Sequence, residues 1–271
     1  MTLLLKYKGQ SSVPVEIEGV TPELVRGMSL TEIEKIEVFH GNRKVPFAEF
    51  FDVSGSSSDS EMIFEGDLSG VHWIGAGMNA GVVRVNGDAG RHVGSEMTGG
   101  EIHVHGDAGD WVGGEMHGGL IHVRGRAGHL VGAAYRGSRR GMTRGTILID
   151  GDVGNELGHS IRRGAIVVGG GAGDCAGFNM IAGNIYVFGS CGIRPGAGMR
   201  RGTIGIFGPD PPPLLPTFRR AGSFRLEFLR VILLDLCRLG FDFPEALFDA
   251  QYALYHGDLV ESGKGEILVV D

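Results

Sequence analysis

Cysteine is scarce in this chain. Cys175, Cys191 and Cys237 are the only three in 271 residues, and they offer neither the paired spacing of a zinc site nor a disulfide framework. A cytoplasmic protein with reduced thiols is therefore expected. Long apolar runs are missing too: none reaches membrane-spanning length, and Met1-Thr2-Leu3-Leu4-Leu5 runs into Lys6 rather than into a signal-peptide core. Positive charge is in the minority, and the net charge of -7 argues against a general nucleic-acid binder. The chain also lacks a carboxylate pair in a defined relation, a nucleophile placed by a base, and a recurring metal-ligand cluster. The expectation is no catalytic residue, no metal and no cofactor of the chain's own, and neither a nucleic-acid nor a membrane partner.

Glycine, by contrast, is abundant at 49 residues, and it is placed in register. Seven copies of one pattern open at Gly66, Gly87, Gly106, Gly125, Gly151, Gly170 and Gly189, with Gly208 closing the series. The step is 19 residues (106 − 87), except for a first step of 21 and a step of 26 from Gly125. Each copy carries an alternating tetrad such as Ile102-His103-Val104-His105, the pattern of a strand with one buried face. Rows of glycine such as Gly94, Gly113 and Gly132 mark tight corners where Cβ is forbidden. A unit this short cannot hold a βαβ crossover. The expected fold class is all-β: a right-handed parallel β-helix of about seven 19-residue coils over residues 61–208, roughly 34 Å long at ~4.8 Å per coil.

Stacking turns the repeats into columns. Met78, Met97, Met116, Met142, Ile161, Met180 and Met199 form one. Val83, Ile102, Ile121, Ile147, Ile166, Ile185 and Ile204 form a second, and Val85, Val104, Val123, Ile149, Val168, Val187 and Ile206 a third. These are expected to be core; thioethers filling a narrow interior explain the methionines without a metal. Gly169-Gly170-Gly171-Ala172-Gly173-Asp174 looks like a phosphate cradle but stands between no strand and helix, so corner glycine is the simpler reading.

Residues 1–60 read as a β-rich cap over one open end of the column. Leu3, Leu5 and Tyr7 alternate, as do Val13, Val15 and Ile17, with Gly9-Gln10-Ser11-Ser12 as a hairpin turn and Pro14 suggesting an edge strand. Thr21-Pro22-Glu23 starts a short helix ending at Gly27, short strands flank His40-Gly41-Asn42, and Gly55 to Ser60 is a flexible link. At the far end Pro209 to Pro213 stops the column. Residues 209–271 then form a Pro-rich linker, a helix over Ser223 to Leu239, a second helix from Asp242-Phe243-Pro244-Glu245 carrying Phe248, Tyr252 and Tyr255, and a last strand over Glu266 to Val270.

Three surface features stand out. His103 and His122 stack beside His105, which makes a metal site conceivable, but no cysteine or carboxylate column completes it. Val167, Tyr186, Phe188 and Phe207 form an apolar stripe that needs a cover, either the C-terminal helices or a partner subunit. The insertion Ala134 to Gly141 carries Arg136, Arg139 and Arg140 near a corner where Arg144, Arg162, Arg163, Arg200 and Arg201 stack. So much positive charge in an acidic protein is either a solvated edge, a dock for an acidic partner, or a contact for an anionic substrate.

The repeat of Gly106-Asp107-Ala108-Gly109-Asp110-Trp111-Val112-Gly113 resembles the β-helix shared by the glutamate synthase C-terminal domain and the C subunit of formylmethanofuran dehydrogenase. Arg139-Arg140-Gly141-Met142 and Ile36 to Val45 are similar to the latter. The tail segments Leu214 to Arg220 and Tyr255 to Leu268 resemble the C subunit of the bacterial formyltransferase/hydrolase complex. That resemblance implies a non-catalytic scaffold in a hetero-oligomer with a formyltransferase subunit, an amidohydrolase-like subunit and a further subunit. The complex would move formyl from formyl-tetrahydromethanopterin to a methanofuran-type carrier with an acidic, glutamate-rich tail, and hydrolyse it to formate. The alternatives are the C subunit of a tungsten or molybdenum formylmethanofuran dehydrogenase, and a stand-alone β-helix enzyme or binding protein.

Overall fold

A computed structural model describes residues 2–9 and 11–271. The alternating tetrads are strands. In chain order they are β1 (Leu3–Tyr7), β2 (Val15–Glu16), β3 (Glu37–His40), β4 (Arg43–Pro46), β5 (Phe51–Ser54), β6 (Glu61–Glu65), β7 (Val71–His72), β8 (Val82–Asn86), β9 (Glu101–Val104), β10 (Leu120–Val123), β11 (Thr146–Ile149), β12 (Ala165–Val168), β13 (Asn184–Val187), β14 (Arg201–Ile206), β15 (Arg219–Phe224), β16 (Tyr252–Gly257) and β17 (Lys264–Val270). Helices are few: α1 (Pro22–Val25), α2 (Leu30–Glu34) and α3 (Glu227–Arg238). The fold is mostly β, built on a mixed 13-stranded sheet in the order β15-β16-β17-β14-β13-β12-β11-β10-β9-β8-β6-β1-β5. Among the described residues no helix is long and apolar enough to cross a membrane.

In the large sheet β6 pairs in parallel with β8, and from β8 to β14 each strand pairs in parallel with that of the next repeat, in strict register: Ile102 faces Ile121, then Ile147, Ile166, Ile185 and Ile204. A second line of parallel bridges runs from Leu68 through Ala89, Ala108, Ala127, Val153 and Ala172 to Cys191. A third set of backbone bonds joins Gly94 N–H to Ile74, Gly113 to Val93 and Gly132 to Val112. All three predicted columns lie inside with no exposed surface. Each such Ile, Val or Met contributes about 1.5–3 kcal/mol of burial.

Side chains also bridge the repeats. Asp110 Oδ1 accepts the His129 N–H at 2.8 Å, His129 Nδ1 accepts that of Asn155 at 2.9 Å, Asn155 Oδ1 that of Asp174 at 3.0 Å, and Asp174 Oδ1 that of Ile193 at 3.0 Å. Accepting at Nδ1 leaves the proton of neutral His129 on Nε2. The glycine rows are steric as well as conformational. A Cβ on Gly118 would sit 2.3 Å from the Thr98 carbonyl oxygen, which is backbone and cannot step aside. Gly118→Ala is therefore expected to cost about 2–3 kcal/mol by overpacking, read as a lower denaturant midpoint; a loss near zero would contradict the close stacking.

The ends depart from expectation. No hairpin joins the first two strands: β1 lies between β5 and β6, and β2 between β3 and β7 in a separate four-stranded sheet. Alternation identifies a strand but not its neighbour. Gln10 of the expected turn lies outside the described residues, and Pro14 precedes a strand paired on both sides rather than an edge strand. A capping box between Ser29 and Glu32 starts α2, a helix not expected from the sequence. The serine link is tied down, with buried Ser57 donating its hydroxyl to the Met28 carbonyl at 2.9 Å.

At the other end the expected second helix is a single 3-10 turn, Glu245–Phe248, and Tyr252 and Tyr255 belong to β16. Strand pairing with β17 overrides the local capping signal there. Nor does the ladder stop at the prolines. β17 returns and pairs in parallel with β14, setting Ile267 beside Ile204.

Candidate functional site

The basic corner is assembled by strand register. Thr146, Ala165, Asn184, Thr203 and Glu266 are aligned, so the residues two places earlier, Arg144, Arg163, Ala182, Arg201 and Lys264, follow one line. Beside it stand Arg162, Ile181 and Arg200. The small Ile181-Ala182 step between two arginine pairs leaves a groove of about 400 Å³, lined by Arg162, Arg163, Arg200, Arg201, Ser262 and Lys264 around that floor. Arg200 Nε lies 3.3 Å from Glu261 Oε2. Among the described residues the other four cations have no ion pair. Lys264 was not expected here from the sequence, because only the return of β17 brings it to the groove.

Arg136, Arg139 and Arg140 are not part of this groove. They are exposed on the insertion loop, and Arg136 lines a separate depression of about 230 Å³ with Trp111, Leu130, Tyr135, Glu156 and His159.

The apolar stripe is taken by the chain itself. Val167, Tyr186 and Phe207, at 0%, 2% and 8% exposure, lie under Leu229, Leu233 and Leu236 of α3, with Phe188 half-buried against the same cluster. The partner-interface reading of these four residues is corrected accordingly: the helix stripe at i, i+4, i+7 matches them and removes them from solvent. Apolar side chains are exposed instead on the outer face of α3, where Phe228, Val231 and Leu234 are 46%, 61% and 46% exposed.

No family model matches the chain. Curated relatives match over one segment. The C subunit of the molybdenum-containing formylmethanofuran dehydrogenase 1 of Methanothermobacter marburgensis is 42% identical over 91 residues, 33% of this chain and 23% of that protein. The C subunit of the tungsten-containing formylmethanofuran dehydrogenase 2 of Methanococcus maripaludis is 41% identical over 92 residues, 34% of each. The matched segment thus spans no more than about a third of those relatives' length. A solved structure extends the likeness end to end. A chain of the formyltransferase/hydrolase complex from Methylorubrum extorquens, crystallised with methylofuran, is 33% identical with a TM-score of 0.90, covering 99% of both chains. This chain belongs to the family of formylmethanofuran dehydrogenase C subunits.

The two stacked histidines are each bonded to a carboxylate of the chain. His103 and His122 are cross-strand neighbours, but His122 Nε2 is bonded to Asp150 Oδ1 at 2.8 Å and His103 Nε2 to Glu101 Oε2 at 3.1 Å. Burial holds His122 below its ordinary value against the pull of Asp150. Among the described residues no three His, Cys, Asp or Glu side chains form a metal-ligand set. Trp73, His92 and Trp111 stack one repeat apart, with ring centroids 4.0 Å and 5.9 Å apart.

Burial, then His72 and Arg91, push His92 down to about 4 from 6.5. The folded imidazole is the weaker base, so the unfolded chain takes the proton first. The stability contributed by neutral His92 is present above pH 6.5 and is lost as pH falls towards 4. His92→Phe, which keeps the stack without a titrating group, is expected to reduce the loss of stability between those pH values. An unchanged pH profile of the thermal midpoint would contradict this.

Proposed function

We propose that this chain is the non-catalytic scaffold subunit of a formyltransferase/hydrolase complex that transfers formyl from formyl-tetrahydromethanopterin to a methanofuran-type carrier and hydrolyses it to formate. One observation carries the reading: the end-to-end likeness, 99% of both chains at 33% identity, to a chain of such a complex. The matches to the molybdenum and tungsten dehydrogenases are higher in identity but cover only a third of this chain, so full-length likeness favours the hydrolytic complex.

The architecture we propose is a right-handed parallel β-helix of about seven coils over residues 61–208, capped by 1–60 and extended by 209–271. The parallel register and the three lines of backbone bonds support it. A rigid column suits a scaffold because partners docked on different coils are held at fixed separation. The partners proposed are a formyltransferase subunit, an amidohydrolase-like subunit and a further subunit. The outer face of α3 supports this, since a helix apolar on two sides is normally buried on both. The groove at Arg162, Arg163, Arg200, Arg201 and Lys264, with Arg144 on the same line, is proposed to hold the acidic tail of the carrier, whose carboxylates would satisfy cations that lack partners within the chain.

Purification from the source cell through a tag on this chain, with mass spectrometry and metal analysis, tests the reading. A formyltransferase and an amidohydrolase-like chain without molybdenum or tungsten are expected. Bound molybdenum or tungsten with iron-sulfur partners would transfer the chain to the dehydrogenase, and recovery of a solitary chain would end the scaffold reading.

A further inference from the structure

The insertion makes its repeat seven residues longer than its neighbours, 26 against 19, yet it is not a loose loop. Both ends are tied to the following repeat, Ala134 N–H to the His159 carbonyl at 3.0 Å and Gly141 N–H to the Ser160 carbonyl at 2.9 Å. The Tyr135 N–H donates to Glu115 Oε1 at 2.9 Å. The Tyr135 ring lies across the Trp73, His92 and Trp111 stack, with centroids 6.4, 5.7 and 5.2 Å away. A turn closed by Ser138 N–H to the Tyr135 carbonyl at 2.9 Å then projects the three arginines.

Those arginines have no use within the chain. Arg136, Arg139 and Arg140 are exposed, and among the described residues none makes an ion pair. Two acids near the loop base are engaged elsewhere, Glu115 with the Tyr135 N–H and Glu156 Oε2 with His159 Nδ1 at 2.8 Å. Three cations held together on an anchored loop repel one another, and that cost is offset only when an opposite surface meets them. Next to them is the depression beside Trp111, Tyr135 and Arg136. Tryptophan, tyrosine and arginine are the side chains that dominate protein–protein binding energy, most of all around a pocket that receives one anchor residue.

We infer that the loop from Ala134 to Gly141 is a docking element for a different subunit, whose acidic surface meets Arg136, Arg139 and Arg140 while one apolar side chain enters the depression beside Trp111. This rests on the scaffold reading and assigns one partner contact within it. An anionic carrier is the weaker occupant, because the aromatic depression offers no further cation and the unpaired cations of the groove stand elsewhere.

The test uses the complex purified through a tag on this chain in three forms: wild type, Arg136→Glu/Arg139→Glu/Arg140→Glu, and Arg136→Lys/Arg139→Lys/Arg140→Lys. Subunit retention is measured against salt concentration, and a photo-crosslinker at Ser138 is read by mass spectrometry. The glutamate form is expected to hold one subunit about 100-fold more weakly with a flatter salt dependence, and the lysine form to keep most of the binding. The crosslink is expected in a segment of that same subunit rich in Asp and Glu.

Unchanged retention in the glutamate form, a crosslink confined to copies of this chain, or loss of the carrier with all subunits retained would each overturn the inference. Because these side chains make no ion pair, the thermal midpoint of the glutamate form is expected to match wild type. If it falls, the lysine form and the crosslink still decide. A wild-type chain recovered without partners sinks the scaffold reading itself, an outcome legible without either variant.

Discussion

Replacing Leu229 and Leu233 together with aspartate is expected to detach α3 from the sheet. Both leucines are 1% exposed and pack with Leu148, Val167, Tyr186 and Phe207 in one cluster. Removing each forfeits about 1.5–3 kcal/mol of burial, and an unpaired carboxylate in that cluster adds several kcal/mol more. Of the buried leucines of α3 only Leu236 then remains in the cluster. The central strands have the ladder and the inner columns, which this change does not touch. Hydrogen exchange should therefore show protection lost across α3 and residues 239–250 and kept across β8 to β14 and β17, which pairs with β14, with new binding of a hydrophobic dye to the uncovered stripe. Full protection of α3 in the double variant would mean that the helix is not held by this contact.

Charge reversal in the basic groove is the second large effect. Arg163→Glu, Arg201→Glu and Lys264→Glu alter three cations on one line beside the Ile181-Ala182 floor. Each charge-assisted hydrogen bond to a carboxylate is worth about 1.5–3 kcal/mol, so losing three and adding repulsion should weaken binding of a glutamate-rich carrier by about 1,000-fold or more. The subunits recovered with the chain are expected to be unchanged, which separates this result from the loop variant. Carrier affinity equal to wild type would show that the groove is not where the tail lies.

Those two predictions rest on features of different visibility. The columns through Ile102 and Met97 were legible because a repeat of fixed length places equivalent residues above one another, and the structure buries every member. The same arithmetic was available for Trp73, His92 and Trp111, and for Asp88 and Asp107, where Asp88 Oδ1 accepts the Asp107 N–H at 2.8 Å. Those ladders lie at the corners, away from the alternating tetrads that mark the strands.

What stayed hidden is non-local. Tyr252 and Tyr255 sit behind a good local helix start, yet their strand is decided by β17, which itself is decided by the open edge of β14. Lys264 enters the groove by that same pairing. The stripe at Tyr186 could be recognised as needing a cover, but its composition left two covers open. Only the position of Leu229, Leu233 and Leu236 over it decides between them.

The central claim is that this chain organises a formyl-processing complex without performing its chemistry. The most direct measurement is formyl transfer and hydrolysis by the purified complex, by the remaining subunits without this chain, and by this chain alone. The account predicts that the chain alone is inactive, that the remaining subunits no longer assemble or couple the two steps, and that adding the chain back restores both. Full coupled activity without it, or transfer or hydrolysis by the chain alone, would contradict the claim.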